Sequence, residues 1–382
     1  MPEAAWLADD HRAFGQTVRK FLERDYEPHR ARWTRERRVP HAFWEQAGAL
    51  GILGASTPVE YGGSGLSRTF DLVTYLEQGR IGDTGWGIGV HNIVQHYLAA
   101  FATDGQKRAW LPRLASGGWV GAIAMTEPGA GSDLQSIRTT AIADGNEYVL
   151  NGQKTFISNA ANADFLIVVA KTDPEAGARG ISLIALETAG AEGFQRGRAL
   201  DKLGMDRQDT MELFFQDLRI PRANLIGETE GRGFYQLMGQ LPWERLVIGV
   251  CALAASRCAL EITLDYVKNR RAFGQRLMDY QNTRFKLAEA KSESEIFSAF
   301  IDRLVEELEA GTLTPERAAM AKWWGSEMQG RIVDNCLQLH GGYGYMNEYR
   351  IAELYRDARV QRIYGGTNEI MRELIARSLD RT

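Results

Sequence analysis

Apolar residues recur at spacings of three and four from Asp71 to Arg80 and again from about His91 to Phe101. That is the period of a helix with one face in a core. Turn-rich joints separate such runs, among them Tyr61-Gly62-Gly63-Ser64-Gly65. The pattern predicts that residues 1–120 form an N-terminal α-helical domain.

The period changes near residue 121. Ile142, Tyr148, Val149, Phe156 and Ile157 fall in short strand-like runs. Asp144-Gly145 and Asn151-Gly152 interrupt these runs, and both dipeptides suit tight hairpin turns because they tolerate positive φ. The stretches 165–169 and 181–186 read as buried strands, and Met211 to Ile220 as another, closed by Pro221. Residues 121–228 are therefore expected to be a middle β domain. From about residue 229 the helical period returns and runs to residue 382. Leu246, Val250 and Leu253 share one face of a helix, while Val247, Cys251 and Ala255 share another. A helix that is apolar on several faces belongs inside a bundle. Further long helices are expected near 283–310, 315–340 and 366–380. The fold class is mixed α and β, mainly α, in three domains.

Composition narrows the partners. The chain has 382 residues and a formal net charge of −4, so no overall basic excess exists to hold nucleic acid. A local basic run of Arg30, Arg32, Arg35, Arg37 and Arg38 is expected to be a solvated face. Three cysteines, Cys251, Cys258 and Cys336, form no CxxC pair, which argues against a disulfide framework or a zinc site. No histidine pair has metal spacing. The first residues are too acidic and too weakly apolar for a leader, and no window nears about 18 uninterrupted apolar residues. A cytoplasmic location and no membrane span are expected.

There is no G-x-G-x-x-G after a strand, no Walker A sequence and no G-x-S-x-G. Instead, Met125-Thr126-Glu127-Pro128-Gly129-Ala130-Gly131-Ser132-Asp133 follows a strand-like run. It is either an anion cradle built of backbone N–H groups or an ordinary strand-to-loop turn. The run from Gln338 to Tyr345 is either a glycine helix cap or a ligand loop. Gly365-Gly366-Thr367-Asn368-Glu369 could cap the last helix and turn its free amides toward an anion. Within the apolar stretch around Pro242-Trp243-Glu244-Arg245, the carboxylate of Glu244 is surface-facing, paired with Arg245, or functional.

Six segments in order resemble the acyl-CoA dehydrogenase family over essentially the whole chain. They are AMTEPGAGSD at 124–133, NGQKTFISN at 151–159, RRAFGQRL at 270–277, YQNTRFKLAE at 280–289, QLHGGYGYMNEY at 338–349 and RDARVQRIYGGTNEIMRELIAR at 356–377. The long-chain and isovaleryl-type members are the most similar subgroups. The resemblance implies a helical domain, a middle β-barrel-like domain and a C-terminal four-helix bundle, assembled as a homotetramer or dimer that binds FAD. It implies that Met125, Thr126, Gly131, Ser132, Phe156, Ile157 and Ser158 line the flavin. Arg270, Phe273, Gln281, Gln338, Gly341 and Gly342 would hold the ADP half of a flavin bound mostly by the adjacent subunit. Thr367 and Glu369 would close over the cofactor, and Ser132, Arg245, Gly365 and Gly366 would border the substrate.

One departure is informative. Many short- and medium-chain members carry the catalytic glutamate at the position of Gly365. Long-chain and isovaleryl-type members place it on a bundle helix, at the position of Glu244. The resemblance thus implies α,β-dehydrogenation of an acyl-CoA, with Glu244 as base and an electron-transferring flavoprotein as acceptor. A thioester on a carrier protein, or a non-catalytic flavin-binding scaffold, is the alternative. Side chains from Phe234 to Leu241 are expected to set the depth of the acyl pocket.

Overall fold

The computed structural model describes residues 4–380. Six helices come first: α1 Asp9–Phe21, α2 Arg30–Glu36, α3 His41–Ala49, α4 Thr69–Arg80, α5 Ile88–Phe101 and α6 Asp104–Ala115. α6 begins with a reciprocal cap. The Thr103 side chain accepts from Gln106 N, and the Gln106 side chain accepts from Thr103 N at 2.9 Å.

Seven strands follow: β1 Val120–Ala124, β2 Thr140–Asp144, β3 Glu147–Ser158, β4 Ala163–Lys171, β5 Ile181–Glu187, β6 Phe194–Ala199 and β7 Thr210–Pro221. They form one sheet in the order β1-β4-β2-β3-β7-β6, with β5 on the other edge of β4. Asp144-Gly145 makes the expected hairpin, with Asp144 opposite Glu147. Asn151-Gly152 does not. It lies inside β3, where the pairing with β7 slips by a residue between Leu150 and Gly152. Gly152 sits at φ 148, and a Cβ there would lie 2.4 Å from Thr139 Oγ1. The glycine serves a close approach in a bulged strand, not a turn.

The C-terminal part contains α7 Gly233–Asn269, the short strands β8 Arg271–Ala272 and β9 Gln275–Arg276, then α8 Gln281–Glu309, α9 Pro315–His340, α10 Arg350–Ala358 and α11 Asn368–Leu379. α7 packs most extensively on α9 and also meets α4, α5 and α8. By length and composition α7 could cross a membrane, but most of its apolar stretch is buried in the bundle. The short α10 has no counterpart in the sequence reading.

The basic run is not uniformly solvated. Arg32, Arg35, Arg37 and Arg38 are exposed, but Arg30 is buried. It donates to Glu27 at 2.6 Å, to Glu353 at 2.9 Å and to the Ile81 carbonyl at 2.8 Å. It thereby joins a buried ionic network. Asp83, just after α4, accepts from Tyr26 at 2.5 Å, from Gln78 at 2.9 Å and from Arg207 at 2.8 Å. Arg207, between β6 and β7, also pairs with Glu353 on α10. The N-terminal helices, the sheet and the bundle thus meet at one group of charges. Burial pushes the Asp83 carboxyl up, but Arg207 and Arg30 outweigh it and hold it well below the usual carboxylate range.

Removing one partner from such a group leaves the others buried without compensation. Arg207→Ala is expected to lower stability by about 3–5 kcal/mol. Denaturant unfolding measures this, and a loss below about 1 kcal/mol would show that the network does not hold the three parts together.

Candidate active site

Glu244 lies in the first third of α7, two residues after Pro242. Consecutive helical side chains point about 100° apart, so Trp243, Glu244 and Arg245 meet different neighbours. The Trp243 ring packs edge-on against His96, with centroids 4.2 Å apart. Glu244 is buried, and its Oε1 accepts from the Tyr97 hydroxyl at 3.0 Å. Burial raises its pKa to about 7, while the Tyr97 bond and the Arg245 charge pull the other way. Glu244 and Arg245 form no ion pair. A Gly366 Cβ would lie 3.9 Å from Arg245 Nη2, and Arg245 Nε has no partner. Of the three alternatives for Glu244, surface exposure and pairing with Arg245 are both excluded.

A cavity of about 160 Å³ opens beside the carboxylate. Along α7 it is lined by Glu244, Val247, Ile248 and Cys251, one stripe at spacings of three and four. Tyr75 and Gly79 of α4 border it, as do Tyr364 and Gly365 before α11. No residue from Phe234 to Leu241 lines this cavity; its α7 wall begins at Glu244. Gly365 sits at φ 65, and a Cβ there would lie 2.5 Å from Ile248 Cδ1. The Gly365 N–H has no acceptor among the described residues.

The first group of expected flavin residues gathers at the end of β1 and the end of β3. The loop after Thr126 is pinned by Glu127 N to Ala130 O at 2.9 Å and Ala130 N to Glu127 O at 3.1 Å. Gly129 and Gly131 face open space, and no atom would touch an added Cβ. Ser132 is exposed beside them. Across the gap, Phe156 holds φ 60 and is 67% exposed, an unusual combination for an aromatic residue. Ser158 is half-buried. The Ile157 side chain departs from expectation: it packs inside the sheet core, so only its backbone can meet a ligand.

The second group is at the far end of the bundle. Arg270, Gln338, Gly341 and Gly342 line one groove, and the Arg270 guanidinium lies 5.5 Å from the centre of the Tyr343 ring. Gly341 and Gly342 again face open space. Gly341, at φ 59 and ψ −139, also ends α9, outside the left-handed helical region of the usual glycine cap. Phe273, on the β8–β9 turn, is 98% exposed at φ 49. Gln281 opens α8 at the surface. The groove contains none of the first group. Two open glycine cradles and two exposed rings at strained backbone fit a long, partly aromatic ligand such as FAD.

Thr367 caps α11 by accepting from Ile370 N, as expected. Glu369 is exposed and pairs with Arg372 at 3.0 Å.

Three features escaped the sequence reading. Tyr97 comes from α5, and no local pattern pairs it with residue 244. The Lys322 ammonium, fully buried, donates to Asn368 Oδ1 at 2.8 Å and anchors the start of α11. Lys154 is buried against Glu127 at 2.9 Å. It shares the inward parity of Tyr148 and Leu150 on β3, a signal that alternation alone offered.

Family models for the acyl-CoA dehydrogenase N-terminal, middle and C-terminal domains match residues 8–118, 122–218 and 231–379. The long-chain specific acyl-CoA dehydrogenase of Sus scrofa mitochondria is 46% identical over 98% of this chain and 87% of its own length. The isovaleryl-CoA dehydrogenase of Pongo abelii mitochondria is 36% identical over 98% of this chain and 89% of its own. The crystal structure of an acyl-CoA dehydrogenase from Geobacillus kaustophilus superposes with a TM-score of 0.96 at 46% identity, covering 99% of this chain and 100% of that one. The three domain matches and these full-length likenesses place the chain in the acyl-CoA dehydrogenase family, the FAD-dependent oxidoreductases of acyl-CoA thioesters.

Proposed function

We propose that the protein converts an acyl-CoA to its trans-2-enoyl-CoA, with Glu244 removing the α-proton. The observation that carries this reading is that Glu244 and Gly365 line one cavity. A carboxylate from either position would face the same substrate carbon, and this chain supplies only the one at 244. When bound, FAD accepts the β-hydrogen as hydride.

The chain's own residues prepare the proton transfer. Tyr97 donates to Oε1, which orients the carboxylate and leaves Oε2 for the α-hydrogen. Burial brings the base close to neutral pH, the range in which a general base combines ionisation with proton affinity. The unpaired Gly365 N–H donates to the thioester oxygen, where negative charge develops as the proton leaves. Arg245, turned toward Gly366, holds positive charge beside that loop. Gly366 and Ser132 border the thioester and its CoA arm. Met125, Thr126, Gly131, Ser132, Phe156, the backbone at Ile157, and Ser158 line the flavin ring of their own chain. Arg270, Phe273, Gln281, Gln338, Gly341 and Gly342 reach the ADP half in a neighbouring chain, with Thr367 and Glu369 at its closure. The exposure of Phe273 supports this sharing, because a second subunit would cover it. An electron-transferring flavoprotein accepts the electrons, and the enzyme is cytoplasmic.

Glu244→Gln keeps size and polarity but cannot take a proton. Flavin reduction by acyl-CoA under anaerobic rapid mixing should slow by about 100-fold to 10,000-fold, with FAD content retained. Reduction at nearly the parent rate would place the base elsewhere.

The pH profile gives a second test. The base works only when ionised, so reduction should fall as pH drops through about 7. The Tyr97 bond favours the ionised form, so Tyr97→Phe should move that limb to higher pH. A limb that stays in place would remove Tyr97 from the mechanism.

Light scattering of the FAD-loaded protein should give a dimer or tetramer. A monomer that binds FAD normally would contradict a flavin shared between chains.

A further inference from the structure

Lys154 presents a puzzle of cost. Its side chain is fully buried in β3, where an apolar residue of similar length would pack without desolvating a charge. The ammonium donates to two groups, the Met125 carbonyl and Glu127 Oε1, each at 2.9 Å. Glu127 in turn accepts from Arg138 N at 2.6 Å and Thr139 N at 3.0 Å. Thr155 N donates to Thr126 O at 2.9 Å, so β3 is tied to two successive peptide groups of the segment after β1. The first of these joins Met125 to Thr126. Its carbonyl faces the lysine, while its N–H, at the other end of a trans unit, has no acceptor among the described residues.

A cation bonded to a carbonyl polarises the amide and strengthens the N–H on its opposite side as a donor. Resting on the assignment of Thr126 to the flavin ring, we propose that Lys154 is a positioning residue for the cofactor: it charges the Met125–Thr126 peptide so that the Thr126 N–H stabilises the negative charge the ring gains on reduction. Burial lowers the lysine pKa to about 8 against the pull of Glu127, so the cation is present at neutral pH. Against burial, Lys154 first and then the Thr139 and Arg138 N–H groups hold the Glu127 carboxyl below its ordinary range, so it balances the charge.

The test measures the midpoint potential of bound FAD by dye equilibration, together with FAD affinity. Lys154→Met leaves Glu127 unbalanced and should disfavour reduced flavin by about tenfold, close to 30 mV for a two-electron couple. Glu127→Gln leaves the ammonium unbalanced and should shift the potential in the opposite direction. A purely structural tie would change FAD affinity in both variants without this reversal of sign. If Lys154→Met does not fold, Glu127→Gln alone decides: an upward shift supports the inference and an unchanged potential overturns it. Gly131→Leu separates this inference from the site assignment beneath it, because a side chain there enters open space and should block FAD. If Gly131→Leu binds FAD as the parent does, the cradle assignment fails and the inference falls with it. If Gly131→Leu loses FAD while Lys154→Met and Glu127→Gln keep the parent potential, only the role of Lys154 falls.

Discussion

The contact between Asp83 and Arg207 is the constraint on which the site rests. Asp83 follows α4, Arg207 belongs to the loop before β7, and Glu353 of α10 completes the group. The cavity beside Glu244 is bordered by the same three parts of the chain, and Asp83 itself is on its wall. None of those parts alone encloses it. Burial of the Glu244 carboxylate, which raises its pKa to about 7, therefore depends on parts of the chain that these charges join.

The molecule treats its buried carboxylates in opposite ways. Asp83 has cations bonded to it and stays ionised. Glu244 has a cation next to it in sequence but not in hydrogen-bond contact, because the helix turns Arg245 toward the Gly366 loop. Burial then dominates, and the carboxylate becomes basic enough to take a proton. One helical step of rotation keeps the neighbouring cation out of reach of the Glu244 carboxylate.

The layout of helices and strands was legible because the period of apolar positions changes twice along the chain, near residues 121 and 229. Short elements such as α10 were not, since nine residues hold too few repeats to establish a period. Asn151-Gly152 misled because a glycine required for a close approach to Thr139 has the same local signature as a turn glycine. Arg30 misled because burial of a charge depends on partners such as Glu353, more than 300 residues away. Glu244, Gly365 and the glycine runs stood out in the residues themselves, and family resemblance supplied the roles expected of them. The contacts that tune them were not legible: Tyr97, Lys154 and Lys322 act through distant segments, and spacing along the chain carries no record of that.

The crowding at Gly365 bears on how such enzymes diverge. Two positions look onto one cavity, so a lineage could in principle carry its base at either. Here the exchange carries a cost. A side chain at 365 would press on Ile248 Cδ1, the movable tip of that side chain, and it would have to accept a left-handed backbone. The φ of 65 at residue 365, which L side chains seldom hold, resists the exchange more than the aliphatic neighbour does.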